Sequence, residues 1–200
     1  MVEEKYSAGL ISQSFWFIEI KKILRLIREG KREDEIKKLC IEENLFGTTN
    51  EYRAKRIYGY IWNRVKHLDG KMIELFNESD LSTQKIINLI AIMRCDRLFF
   101  EFIYEVYREK NVLGTLIIED RDANIFFRNK EVQDEKIAKW TDRTKKRLKS
   151  SYFNYLIDAN LITIKDKKKY ITPPIFDIAI ERYLELVGDF AIVKAITGVN

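Results

Sequence analysis

Residues 136–174, KIAKWTDRTKKRLKSSYFNYLIDANLITIKDKKKYITPP, decide the fold, because charge, helical period and hairpin pattern coincide there. A short helix over about 134–140 is expected to meet a turn at Thr141, and a long basic helix to run on to about 160. Two short strands, 161–165 and 170–172, then flank a lysine-rich tip at 166–169. That order is the order of a winged helix-turn-helix. Between Lys136 and Lys169 eleven Lys and Arg stand against Asp142, Asp158 and Asp166, a balance of +8 where the whole chain carries +5. The rest of the chain is therefore slightly acidic, and the basicity is placed rather than diffuse.

On the long helix, Thr144, Leu148, Tyr152, Tyr155 and Ala159 share one face with Leu156 beside them, which makes that face the packed one. The opposite arc collects Arg143, Lys146, Lys149, Ser150 and Phe153, with Arg147 and Asn154 at its edge. Its cations lie in the N-terminal half, where a recognition helix meets DNA and where the helix dipole adds positive potential. Asp142 suits the dipole but repels phosphate, so it must cap the helix or face away from the duplex. Lys167, Lys168 and Lys169 at the wing tip fit contact with the phosphate backbone. The candidate DNA-binding residues are thus Arg143, Lys146, Arg147, Lys149, Ser150, Lys167, Lys168 and Lys169.

Working outward, the flanks read as helices. Toward the C-terminus, Thr172 is placed to cap a helix with Pro173 at its first position. Toward the N-terminus, residues 115–118 are β-branched enough for a short strand beside the wing, and residues 122–130 read as a helix. Residues 96–110 form a helix whose Phe and Tyr stripe is core at that spacing. A near-continuously apolar helix ends at Arg94, preceded by a short one over 72–78. A helix over 51–68 buries Ala54, Ile57, Tyr58, Ile61, Val65 and Leu68, and presents Arg53, Arg56, Tyr60, Arg64 and His67 on its other side. Arg53, Arg56, Tyr60 and Arg64 form a second candidate basic surface. The first helix, 15–29, is read as capped by Ser14 and stopped by Gly30. The break after residue 111 divides the chain into an N-terminal helical bundle, 1–112, and a winged-helix-like region, 113–200.

Composition agrees. The 200 residues are 46% apolar and 34% charged with only two prolines, which favours a mainly α fold over a sandwich or barrel. No apolar run reaches the roughly 20 residues of a membrane span, and no export signal opens the chain. A cytoplasmic protein without a membrane partner is expected, with a pI near 9.0 that points to nucleic acid or an acidic partner. Cys40 and Cys95 match no metal-ligand spacing and read as reduced thiols, and the one histidine, His67, lacks a companion for a metal site or a catalytic pair. No phosphate-binding loop, dinucleotide fingerprint or HExxH is present. No cofactor, metal, small-molecule substrate or enzymatic activity is expected.

The order of four segments, YSAGLISQSFWFIE (6–19), YRAKRIYGYIWNRVKHL (52–68), LIAIMRCDRLFFEFIYEVY (89–107) and WTDRTKKRLKSSYFNYLIDANLI (140–162), resembles the BrxA family of BREX (bacteriophage exclusion) phage-defence systems. The resemblance implies a small, largely helical, non-enzymatic DNA-binding component, and N-terminal helices loosely similar to those of the antitermination factor NusB. No catalytic residue set transfers with it. Three partners fit these residues: double-stranded DNA held chiefly through phosphates, an acidic protein of the same defence system docked by an adaptor, or RNA.

Overall fold

Twelve α-helices, a 3-10 helix (Gly9–Ser12), a π-helical turn and a three-stranded sheet are the regular elements of the described part of the chain, residues 5–198, in the computed structural model. The residues group into two compact units, Phe15–Ala91 and Met1–Ser14 with Ile92–Asn200.

The Phe15–Ala91 unit contains α1 (Phe17–Arg28), α2 (Glu33–Ile41), α3 (Glu51–Val65), α4 (Gly70–Glu78) and most of α5 (Leu81–Cys95). Amphipathic spacing builds its core from Ile20, Ile23, Leu24, Ile36, Ile61, Met72 and Phe76, all nearly inaccessible. Ser14 does not cap α1. The residue before the helix is Trp16, held in the left-handed region at φ 47°, and its ring stacks on Tyr60 at 5.8 Å. Asn50, Asp69 and Asp80 supply the side-chain caps of α3, α4 and α5, accepting from the N–H groups of Arg53, Met72 and Thr83.

The second unit carries α6 (Arg97–Phe102), a π-helical turn (Ile103–Tyr107), α7 (Arg108–Val112), β1 (Ile117–Ile118), α8 (Asp120–Gln133), α9 (Glu135–Ala138), α10 (Asp142–Asp158), β2 (Ile162–Lys165), β3 (Lys168–Ile171), α11 (Ile178–Leu186) and α12 (Phe190–Thr197). The expected helix over 96–110 therefore contains a π turn, which lets Phe102, Ile103, Val106 and Tyr107 all face inward. An aromatic cluster seats α10: Tyr152 lies 5.0 Å from Phe99, 5.2 Å from Phe102 and 6.0 Å from Phe127, and Phe153 lies 5.8 Å from Phe102. The sheet is antiparallel in the order β1-β3-β2, with Ile117 and Thr163 on either side of Tyr170.

The N-terminal segment straps this unit together. The Tyr155 hydroxyl donates to the carbonyl of Gln13 at 2.9 Å, Lys136 donates to the carbonyl of Tyr6 at 2.7 Å, and the Tyr6 hydroxyl donates to Glu101 at 2.9 Å. Beneath it Lys130, 4% exposed, is held between Glu101 and Glu105 at 2.6 Å each. Burial alone would lower the Lys130 ammonium, but these two carboxylates hold it above its ordinary value. The strap and the shared core of α6 and α10 hold the N-terminal segment and the residues from Ile92 onward in one compact unit.

The region after β3 differs from expectation. No helix begins at Pro173; residues 172–177 are irregular, and α11 starts five residues later, at Ile178, capped by Asp177, whose carboxylate accepts from the N–H groups of Ala179 and Ile180. Two adjacent prolines bias Thr172 and Pro173 away from the helical region, since each precedes a proline. No helix among the described residues is long and apolar enough to cross a membrane.

Candidate nucleic-acid interface

Local chemistry sets α10 at the surface. Asp134 caps α9 by accepting from Lys136 and Ile137, a tight turn closes with Trp140 N–H donating to the Ile137 carbonyl, and Thr141 caps α10 by accepting from Thr144 N–H at 3.2 Å. At the far end Asn160 takes φ 62°, and the N–H groups of Asn160 and Leu161 bond to the carbonyls of Ile157 and Leu156, a Schellman closure that turns the chain into β2.

The cations of α10 fall into two groups. Arg143, Lys146 and Arg147 are exposed and have no ion-pair partner among the described residues. Lys145 and Lys149 are engaged: Lys145 with Glu131 at 2.6 Å and Asp142 at 3.0 Å, Lys149 with Asp120 at 3.0 Å and with the Asn124 amide oxygen at 3.2 Å. Asp142 is fully exposed at the first helical position, where it suits the dipole and pairs Lys145. Ser150 is exposed, yet its hydroxyl donates back to the Lys146 carbonyl at 3.0 Å. Phe153, placed by the helical wheel on the outer arc, is 4% exposed, because the hairpin covers that side of the helix and the Lys169 ammonium sits 4.6 Å over its ring.

The hairpin is tighter than the sequence suggested. Lys168 and Lys169 belong to β3, and the turn is only Asp166 and Lys167, at φ 51° and 60°. Two successive left-handed residues are the type I′ geometry that matches strand twist. The register sets Lys165 opposite Lys168, a like-charged pair that costs stability when uncompensated. Lys165, Lys167 and Lys168 are exposed, whereas Lys169 turns back to Asp120 at 2.7 Å. Lys169 first and Lys149 second hold the Asp120 carboxyl below the usual range.

Helix α8 adds residues that the sequence reading did not select. Asn124, Phe127, Arg128 and Glu131 face Asp142, Lys145, Lys146 and Lys149 across a groove of ≈ 470 Å³. Arg128 is exposed and extends the positive face; it stands two residues before Lys130, which lies buried on the other side of the helix.

The second candidate surface survives only in part. Arg53 and Arg56 are exposed on α3, Tyr60 is half-buried against Trp16, and Arg64 is 1% exposed. Its guanidinium donates to the Phe15 carbonyl at 2.7 Å and lies 5.4 Å from the Trp16 ring, so it holds that turn instead of facing solvent. His67 is half-buried, its Nδ1 2.8 Å from the Asn63 carbonyl. Burial pushes the Cys40 thiol up to about 12, which leaves it unreactive at neutral pH. Among the described residues no group of three or more His, Cys, Asp or Glu is arranged to hold a metal ion.

These features define a mainly helical protein with a small antiparallel sheet and one strongly cationic face formed by a helix and an adjoining hairpin. The chain belongs to the BrxA family, whose model matches residues 4–187. It is similar to a Bacillus cereus (strain H3081.97) protein named BREX protein BrxA, with 37% identity over 187 residues covering 94% of each chain. In fold it is similar to a crystal structure of an uncharacterized protein from Magnetospirillum magneticum, at a TM-score of 0.80 with 17% identity over 97% of this chain and 99% of that one.

Proposed function

We propose that this protein is a component of a BREX phage-defence system that binds double-stranded DNA through phosphate contacts, using α9, α10 and the β2–β3 hairpin as a winged helix-turn-helix within the 113–200 region. Membership of the BrxA family and the name of the Bacillus cereus relative support the defence role. The observation that carries the DNA reading is the sorting of charges. Buried or half-buried lysines of this region are matched by carboxylates, while Arg143, Lys146, Arg147, Lys165, Lys167 and Lys168 stand exposed and unmatched on one helix and one hairpin. An uncompensated cross-strand lysine pair is a standing cost that an anion relieves. Arg143, Lys146 and Arg147 occupy the first two turns of α10, the part of a recognition helix that enters the groove. Arg53 and Arg56 form a smaller second face.

Fluorescence anisotropy with a labelled random-sequence duplex tests this. Binding by the native chain that is lost on reversal of Arg143, Lys146 and Arg147 to Glu is the expected result. Equal binding by the reversed variant, or retention of an acidic protein partner after nuclease treatment with no duplex binding, refutes it in favour of an adaptor. Competition with an RNA duplex at the same salt separates DNA from RNA.

A further inference from the structure

Asp120 presents a geometry that the rest of the cationic face lacks. Its two carboxylate oxygens each take one ammonium: Oδ1 accepts from Lys169 of the wing strand at 2.7 Å, and Oδ2 lies 3.0 Å from Lys149 of α10. Two lysines from two different elements closing on two oxygens of one anion is how a backbone phosphate would be held between helix and wing. The lysines are poorly solvated, with side chains 14% and 26% exposed, and the Lys169 ammonium lies over the Phe153 ring. Asp120 itself is 57% exposed at the first position of α8, so solvent and other anions reach it. The contrast with Lys130 is direct. There lysine is 4% exposed and Glu101 15%, a pair sealed inside the unit.

We infer that Asp120 is an internal stand-in for phosphate: it occupies Lys149 and Lys169 when no nucleic acid is bound and competes with the DNA backbone for them. This positioning role rests on the phosphate-binding reading. It makes part of the cationic face available only to an anion strong enough to displace a carboxylate, which weakens attachment to duplex in general and keeps the wing seated on the helix in the free protein. A purely bracing role predicts the opposite sign, because loss of a brace loosens the wing and weakens binding.

The test is duplex binding by Asp120→Asn and Asp120→Glu, each alone and with Lys149→Gln plus Lys169→Gln, measured by anisotropy from low to moderate salt on a random-sequence duplex. Asp120→Asn is expected to bind about tenfold more tightly at low salt, with the slope of log affinity against log salt steeper by about 1 to 2, since each phosphate neutralised adds about 0.9. Asp120→Glu keeps the native behaviour, and the Asn substitution has no effect on slope once both lysines are glutamine. Unchanged or weaker binding by Asp120→Asn overturns the inference while the native chain still binds duplex with a salt slope. An equal gain without the two lysines also overturns it, because a general charge effect then explains the change. A native chain that shows no salt-dependent binding removes the phosphate reading itself and this inference with it. Should Asp120→Asn lose its helical circular dichroism, Asp120→Ser, which suits a helix start, takes its place under the same criteria.

Discussion

On the proposed DNA-binding reading, the unmatched cations predict the salt dependence of duplex binding. Taking Arg143, Lys146 and Arg147 on α10 with Lys167 and Lys168 on the hairpin as engaged, five phosphates are neutralised. At about 0.9 per phosphate the slope of log affinity against log salt is about −4.5, so affinity falls roughly 500-fold between 50 and 200 mM. Replacing Arg143, Lys146 and Arg147 by Gln leaves two contacts, a slope near −1.8 and a fall of roughly 12-fold over the same range. Arg53→Gln with Arg56→Gln is the control on α3 and is expected to change the slope by less per charge removed than the α10 set does. Two unrelated duplex sequences are expected to give the same slope, because phosphate contacts carry no base information. Anisotropy titrations at four or more salt concentrations supply the number. A native slope shallower than about −2, or a triple variant as steep as the native chain, refutes the assignment of these side chains to the interface.

Three stability predictions test the two cores and the hairpin turn. Lys130→Met strands Glu105 and leaves Glu101 to Arg97 and Tyr6; because those partners remain and Glu105 is 39% exposed and therefore screened, the loss falls at the low end for a broken buried pair, about 3 kcal/mol, a Tm lower by about 6–12 °C in calorimetry. Burial would raise the Glu101 carboxyl, but hydrogen bonds from Lys130, Arg97 and Tyr6 hold it lower than usual, so its contribution is present above about pH 4.3 and is lost as pH falls through the lower folded value. The native chain is expected to lose more stability than Lys130→Met across that acid window, and parallel curves would contradict the pairing. Arg64→Leu is expected to cost about 1.5–3 kcal/mol in urea unfolding, the range for a charge-assisted bond to a buried carbonyl, whereas Arg53→Gln costs under about 0.5. Lys167→Gly relieves a left-handed residue in the type I′ turn and is expected to raise stability by about 0.5–1 kcal/mol while removing one phosphate contact; a lower Tm would show that the turn geometry is not as described.

Local signals and long-range pairing account for what was legible and what was not. Helix period, the Thr141 cap and the β-branched runs are local, and they place α10, β2 and β3 within a few residues of where they lie. Most departures arise where a neighbour distant in sequence competes. Phe153 sits on the polar arc by angle, but a hairpin folded back over α10 gives the helix a second buried side. Arg64 aligns with Arg53 and Arg56 by period, yet the left-handed turn at Trp16 brings its indole and the Phe15 carbonyl, 49 residues away in sequence, to the Arg64 guanidinium. Thr172-Pro173 has the form of a helix start, but Pro174 and the better-placed Asp177 win. Most consequential is the charge count itself. A run of eleven basic residues is visible in one dimension, but which of them are available is decided by carboxylates 14 to 49 positions away, Glu131 for Lys145 and Asp120 for Lys149 and Lys169. On the proposed DNA-binding reading, formal charge sets how strongly the whole face attracts a polyanion at a distance, while the unmatched subset sets how many counterions leave on contact, and the salt slope reports the second quantity.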